Sequence, residues 1–516
     1  MKINRLFQVS GFVVAILLVG ACKKEPSRST GWDYNNPKNG GFEVRQYADQ
    51  ETGPGLVFIE GGTFAMGNTQ DDVMFDWDNS PRRVTVSSFY MDETEVRNLD
   101  YLEYLFWLDR VYSTDFPAVY RNALPDTLVW RDKLAYNEPL VEYYLRHPAY
   151  RNYPVVGVSW VQANDYCQWR TDRVNEMLLI KRGILNWDPD QKNENNFNTE
   201  AYLAGQYEGL VNQNLPNIGV QSGRKPAKGA PATQNLPNIN AKSGKGSEGR
   251  IVRMEDGILL PKYRLPTEAE WEFAALGLIG NTLYERVVER KNYPWNGNYV
   301  RTLESRYYGS FMDNFKRGKG DYMGVAGNLN DAADIPAACG SYFPNDYGLY
   351  NMAGNVSEWV LDVYRPLNSY DVTDLRPYRG NLFQEKVVNP ATGALVNKDK
   401  FGHIVYEDVT DANARFRRNY NKADNINYLD GDYASNVDNG VWKDTTNLKN
   451  ATNLMYEFEV SSLINDHARV YKGGNWKDQA FYMSPGTRRY LDETAKSDAI
   501  GFRCAMTRVG GSIAGK

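Results

Sequence analysis

Five short blocks carrying aromatic residues stand apart from the polar chain around them. They are FIEGGTFAMG at 58–67, YPVVGVSWVQANDYCQW at 153–169, YRLPTEAEWEFAA at 263–275, NDYGLYNMAGNVSEWVLD at 345–362, and RVYKGGNW through GFRCA at 469–505. Compact blocks separated by long polar stretches point to one large, loop-rich domain carrying insertions. A length of 516 residues would by itself allow two or three domains. The hydrophobic fraction of 42% and the mean hydropathy of −0.59 suit the single interrupted domain better.

Local patterns set the expected elements. GLVFIEGGTFAMG alternates apolar and polar residues about Gly61 and Gly62, which predicts a hairpin. The run from Arg82 predicts a strand passing into an amphipathic helix that turns Leu99, Leu102, Leu105 and Phe106 to the core. SWVQANDYCQWRTDRVNEMLL predicts a second helix. Thr267 precedes Glu270 by three residues, the spacing of a capping box, so a helix starts there with Trp271, Ala274 and Ala275 facing inward. In GLYNMAGNVSEWV, Gly348 and Gly354 allow tight turns while Asn351, Asn355 and Glu358 supply hard oxygen donors, the combination that calcium prefers.

The N-terminus reads as an export signal. Lys2 and Arg5 precede the apolar run Gly11–Gly20, which is shorter than the roughly 20 residues a membrane span needs. That run closes on Val19, Gly20, Ala21 and Cys22, the pattern of a lipoprotein signal, so Cys22 is the expected lipidation site and first mature residue. The following KKEPSRST has no aspartate in second position, which points to the outer membrane and its periplasmic face. Stable anchoring takes more than one acyl chain. Residues 22–54 are polar and rich in Gly and Asn, as expected of a flexible tether, and 509–516 form a tail. Removal of residues 1–21 takes the formal net charge from −5 to −7, without the basic stripe of a nucleic-acid binder.

Two regions read as insertions into a domain spanning 55–508. The first, 170–263, contains QNLPNI twice, at 213–218 and 234–239, too few copies for a solenoid. The second, 364–466, is rich in Asn and Asp, and its DGDYASNVDNG departs from a calcium loop at Ala434 and Ser435. Beyond Cys22 the cysteines are Cys167, Cys339 and Cys504, enough for one intramolecular disulfide at most. His147, His403 and His467 are scattered singly without ligand spacing, and no nucleophile elbow, phosphate loop or dinucleotide fingerprint stands in a suitable context.

Taken together in their order, the five blocks resemble the formylglycine-generating enzyme (sulfatase-modifying factor) family, whose fold is an irregular α+β relative of the C-type-lectin type. The resemblance implies one calcium at Asn351, Gly354, Val356 and Glu358, and a second at Asn314, Phe315, Asp331 and Ala333. It also implies a Cys167–Cys504 disulfide and leaves Cys339 without a partner. In the enzymes, two cysteines five residues apart bind copper and activate oxygen; those positions are Asp478 and Met483 here, while Arg488 and Arg489 keep the scaffold pattern. A thioether beside a carboxylate does not replace a thiolate pair, so copper is not expected. Another branch holds iron through histidines, and the scattered histidines imply none here.

A lipoprotein signal joined to such a chain, with STGWDYNNPKNGGF and DETEVRNLDYLEYLFWLDRVY, resembles the gliding-motility lipoproteins of the GldJ and GldK type. That resemblance implies a non-catalytic outer-membrane lipoprotein supporting gliding-motility and type IX protein-secretion machinery. Its implied partners are the GldK/GldN-type ring proteins, with peptidoglycan as a further contact. The alternatives are an enzyme with an atypical site in the same cleft, and a periplasmic glycan- or peptidoglycan-binding module.

Overall fold

The computed structural model describes residues 25–39, 42–45, 49–68, 79–185, 187–207, 251–288, 290–316, 333, 335–364, 378–380, 384–409 and 467–510. Cys22, Asp331, both QNLPNI copies and the 430–440 stretch lie outside them. The chain divides into two compact units: Met1–Asp49 with Met177–Asp188 and Val211–Leu259, and Gln50–Glu176 with Pro189–Leu210 and Leu260–Lys516.

In the larger unit, strands β1 (Leu56–Ile59), β4 (Phe89–Asp92), β5 (Tyr263–Arg264) and β12 (Ala505–Thr507) form an antiparallel sheet in the order β1-β4-β12-β5. A second sheet runs β10-β9-β6-β11, built from β6 (Ser357–Val363), β9 (Ala468–Lys472), β10 (Arg489–Asp492) and β11 (Ile500–Gly501). Its β6–β11 pair is parallel and the other two pairs are antiparallel. Two-stranded sheets join β2 (Gly62–Met66) to β3 (Arg82–Val86), and β7 (Gln384–Lys386) to β8 (Tyr406–Asp408). The described helices are α1 (Asn98–Tyr112), α2 (Pro117–Ala123), α3 (Glu138–Tyr143), α4 (Trp160–Lys181), α5 (Thr199–Leu203), α6 (Glu268–Leu276) and α7 (Leu283–Val287).

Several local expectations hold and two are corrected. Two successive strands, β3 and β4, lead into α1, and α4 covers the second predicted helix. The capping box starts α6: Thr267 N donates to Glu270 Oε2 at 2.9 Å, and Glu270 N donates to Thr267 Oγ1 at 3.2 Å. The predicted hairpin between β1 and β2 does not form. Each strand pairs elsewhere, because a Cβ at Gly61 would lie 2.3 Å from Val86 O, so the chain passes close against β3 rather than folding back on β1. Leu99 and Phe106 are also 46% and 71% exposed, against the core expected for them. The buried face of α1 is instead Tyr101, Tyr104, Leu105, Leu108, Val111 and Tyr112, an equally good helical stripe filled by tyrosines.

The core gathers where α6 meets the β2–β3 pair and both larger sheets. Trp271, Phe273, Ala274, Ala275, Phe64 and Val360 are all at most 1% exposed there. Gly473, at φ +98°, lies under the Trp271 indole, where a Cβ would approach its ring to 3.0 Å. Only glycine suits both the left-handed backbone and the close ring. Trp271→Ala is therefore expected to cost roughly 3–5 kcal/mol of folding stability, and Thr267→Ala about 1 kcal/mol through the lost cap. Urea unfolding of the two variants checks both magnitudes; equal losses would contradict the placement of Trp271 at the core centre.

Candidate functional site

The blocks met separately in the sequence come together around two buried charge clusters on either side of Trp271. Glu268 and Glu272 are one turn apart on α6, where like charges repel. Lys472, at the end of β9 and 1% exposed, places its Nζ between them, 3.2 Å from Glu268 Oε1 and 3.1 Å from Glu272 Oε2. Arg488 clamps Glu268 through both carboxylate oxygens at 2.6 and 2.9 Å, and Arg290 reaches Glu272 at 3.0 Å. Gly67 N donates to Glu272 Oε1 at 2.8 Å, which brings the first block in. Burial would raise the Glu268 carboxyl, but Arg488 and Lys472 overcome it and hold the group down at about 2. Asp362 accepts from Glu268 N at 2.8 Å, and burial with the neighbouring Glu268 outweighs the pull of Arg488 and pushes it up to about 7.

On the other side, Trp271 Nε1 donates to Glu358 Oε2 at 2.8 Å. Arg503, wholly buried, grips the same carboxylate at 2.6 Å through each of Nε and Nη2, and also donates to Asp92 O and Tyr350 O at 3.1 and 2.8 Å. Next to this pair, Asn351 and Asn355 donate to the two oxygens of Glu95 at 3.0 and 2.9 Å. Both asparagines hold left-handed backbone, at φ 52° and 54°. Asn355 N donates to Asn314 O at 2.8 Å, and a Cβ at Gly354 would fall 2.5 Å from that same oxygen, so the turn closes directly over the Asn314 backbone. Burial pushes Glu95 up to about 7 against the pull of Arg503, and burial also raises Asp313 well above its ordinary value.

The donor chemistry here suits a hard cation. Three buried carboxyl groups, Glu95, Glu358 and Asp313, share the one guanidinium of Arg503. The Oδ1 atoms of Asn351 and Asn314 are buried without a hydrogen-bond partner. Among the described residues no three His, Cys, Asp or Glu side chains converge as a metal-ligand set, so a cation would rest on amide and backbone oxygens beside Glu358. Val356 and Phe315 are buried next to these asparagines in sequence, and Ala333 is half-buried.

Asp478 and Met483 have different surroundings. Arg489 donates to both Asp478 oxygens, through Nη1 at 2.9 Å and through Nη2, and Nη2 also meets Ser357 Oγ at 3.2 Å. The guanidinium lies over the rings of Tyr482 and Tyr471, 4.6 and 4.9 Å from their centroids. Burial works against its charge, and Asp478 more than offsets that. Met483 is fully buried among Tyr293, Phe311, Phe315 and Ala353. Both side chains are thus absorbed, one in an ion pair and one in apolar packing.

Cys167 and Cys504 are brought together, buried with sulfurs 3.4 Å apart. Cys339 stands apart, half-buried, with a thiol that burial pushes well up and so keeps from being a thiolate. The histidines have separate partners: His147 Nδ1 accepts from Ala149 N, and His467 pairs with Glu493. Sequence reasoning missed Glu95, Glu268, Glu272 and Lys472; the one available signal was the Glu268/Glu272 pair, a like-charge clash one turn apart in the helix whose third glutamate, Glu270, serves the cap.

The chain belongs to the sulfatase-modifying factor enzyme 1-like domain family, whose model matches residues 42–508. It is similar to the formylglycine-generating enzyme of Mus musculus, at 22% identity over 64% of this chain and 67% of that protein. It is also similar to the inactive C-alpha-formylglycine-generating enzyme 2 of Mus musculus, at 23% identity over 63% of this chain and 73% of that protein. Among solved structures, PvdO from Pseudomonas aeruginosa aligns with 87% of this chain and 93% of its own at 13% identity and a TM-score of 0.38.

The raised Asp362 has a testable sign. Its folded value of about 7 lies above the ordinary 3.8, so between these limits the folded state keeps a proton the unfolded chain has lost. Stability from this group therefore falls as pH climbs from 4 towards 7. Asp362→Asn is expected to flatten that slope in thermal unfolding between pH 5 and pH 8; an unchanged slope would mean that Asp362 is ionised in the fold.

Proposed function

We propose that the protein is a non-catalytic, lipid-anchored outer-membrane component that supports assembly or stability of the gliding-motility and type IX secretion machinery. GldK/GldN-type ring proteins are its proposed partners. The observation that supports the non-catalytic part most strongly is the fate of Asp478 and Met483: a carboxylate locked by Arg489 and a thioether packed among aromatic rings offer neither a nucleophile nor a copper ligand pair. Similarity to a relative whose name carries the word inactive agrees with this reading. The anchoring part rests on the lipoprotein pattern ending at Cys22, and the secretion part on the resemblance of the segments that follow it.

The role is physical. An acylated Cys22 holds the chain at the membrane, and the buried charge clusters stiffen a loop-rich body. A Cys167–Cys504 disulfide would add to this after export, by at most about 4–5 kcal/mol for so long a loop. Calcium would be held by Asn351, Gly354, Val356 and Glu358, and a second ion by Asn314, Phe315, Asp331 and Ala333; when bound, it supplies rigidity rather than chemistry. The unpartnered Asn351 Oδ1 supports the first set, and Asn314 Oδ1 the second.

Calcium added to the chelator-treated full chain is expected to raise its melting temperature, in line with about 2.7 kcal/mol at a hundredfold excess over Kd. Asn351→Ala should abolish that rise, and a melting temperature indifferent to calcium in the unsubstituted chain sinks the metal assignment. For the assembly role, affinity purification of the acylated protein from detergent-solubilised membranes, followed by quantitative mass spectrometry, should enrich GldK- and GldN-type proteins. The enrichment should vanish with Cys22→Ala. Recovery of the protein alone would overturn the assembly role.

A further inference from the structure

The segment just after Cys22 folds on itself and leaves large aromatic rings in solvent. Pro26 bridges to Asp33, Ser27 N donates to Trp32 O at 2.7 Å, and Tyr34 N donates to Glu25 O at 3.0 Å. Asn35, at φ 54°, then turns the chain: its N donates to Phe42 O at 2.9 Å, and its side chain holds Val44 through both N–H and C=O at 2.9 and 3.0 Å. The rings of Tyr34 and Phe42 pack with centroids 5.8 Å apart. Nevertheless Trp32 is 59% and Phe42 69% exposed. A loop that spends this many hydrogen bonds to present two such rings outward has a surface with something to cover it.

Chain geometry names the occupant. Tyr34 is held level with Glu25, three residues beyond Cys22, and Trp32 level with Ser27, five residues beyond. At about 3.5 Å per residue, the backbones of Glu25 and Ser27 stay within roughly 11 and 17 Å of Cys22 however the intervening chain runs, and the paired backbones of Tyr34 and Trp32 lie only about 5 Å farther. An acyl-bearing cysteine sits at the membrane surface, where the headgroup layer adds about 5–8 Å on each side of the hydrocarbon core. Tryptophan, tyrosine and phenylalanine at that depth are favoured by their amphipathic or apolar rings. The exposed Arg28 and Lys38 on the same loop suit anionic headgroups.

We infer that the loop bearing Trp32, Tyr34 and Phe42 is a second, non-covalent membrane contact that inserts into the headgroup layer beside the acyl chains and orients the unit carrying it. This inference rests on the lipid-anchored reading above, and its test separates the two. The acylated full chain and its Trp32→Phe variant are reconstituted into phosphatidylglycerol and phosphatidylethanolamine vesicles carrying bromine near the headgroup end of the acyl chains. Tryptophan quenching is expected to be greater in the unsubstituted chain than in Trp32→Phe. Equal quenching of two vesicle-bound proteins overturns the inference while leaving the anchor intact. Shielding of Trp32 from a soluble quencher without bromolipid quenching assigns the loop to a protein surface and also overturns it.

The mass of the Cys22 peptide reports acylation independently, so an unmodified Cys22 removes the anchor reading by itself. A second measurement uses the unacylated Cys22→Ser chain, whose vesicle binding should weaken on the order of tenfold when Trp32→Ser and Phe42→Ser are combined. Binding unchanged by that pair, or absent before it, counts against the loop as a membrane contact.

Discussion

The buried ion pair between Glu358 and Arg503 is the contact on which the rest of the larger unit depends. Its two partners lie at the start of β6 and just beyond β11, which pair in parallel, so the pair crosses the sheet edge that the chain's last block completes. Arg503 spends its remaining donors on carbonyls of Asp92 and Tyr350, and Glu358 accepts from the indole of Trp271. Three of the five blocks, together with β4 at Asp92, are tied by this one guanidinium and its carboxylate. A buried pair of this kind is weak evidence for net stability, because desolvation offsets much of the attraction. Its geometry nonetheless specifies how loop-rich segments meet, since loss of either partner would leave a buried charge unmatched.

The second cluster extends the same logic across Trp271. Lys472 between Glu268 and Glu272 turns an unfavourable like-charge pair on α6 into a clamp on β9, and Arg488 and Arg290 complete it. With so much of the molecule in loops, regular hydrogen-bond ladders bring together only a few strands at a time. Buried polar contacts of fixed geometry take over the work of register. The region around Asp478 and Met483 follows the same economy, with a carboxylate paired to Arg489 and a thioether packed among apolar side chains.

How much was legible in the sequence depends on how far apart the interacting residues are. The Thr267–Glu270 cap could be read because both partners lie within one helical turn. The fate of Gly61–Gly62 could not, since the strands on either side find their partners in β4 and β3 and not in each other. Leu99 and Phe106 fit a helical stripe, but the tyrosines of α1 fit another, and periodicity cannot say which stripe meets α4. The buried carboxylates looked like ordinary surface charge, because Lys472 stands two hundred residues from Glu268 in the chain.

By itself the sequence determined the family, the loop-rich α+β class and the cap of α6, all properties of residue identity or close spacing. Tertiary structure alone decided that Asp478 is taken up by Arg489 and that acidic and basic residues from distant blocks share a dry interior. The physical reason is that an ion pair or a packed ring exists only when the fold removes water from both partners at once, and no stretch of chain carries that information alone.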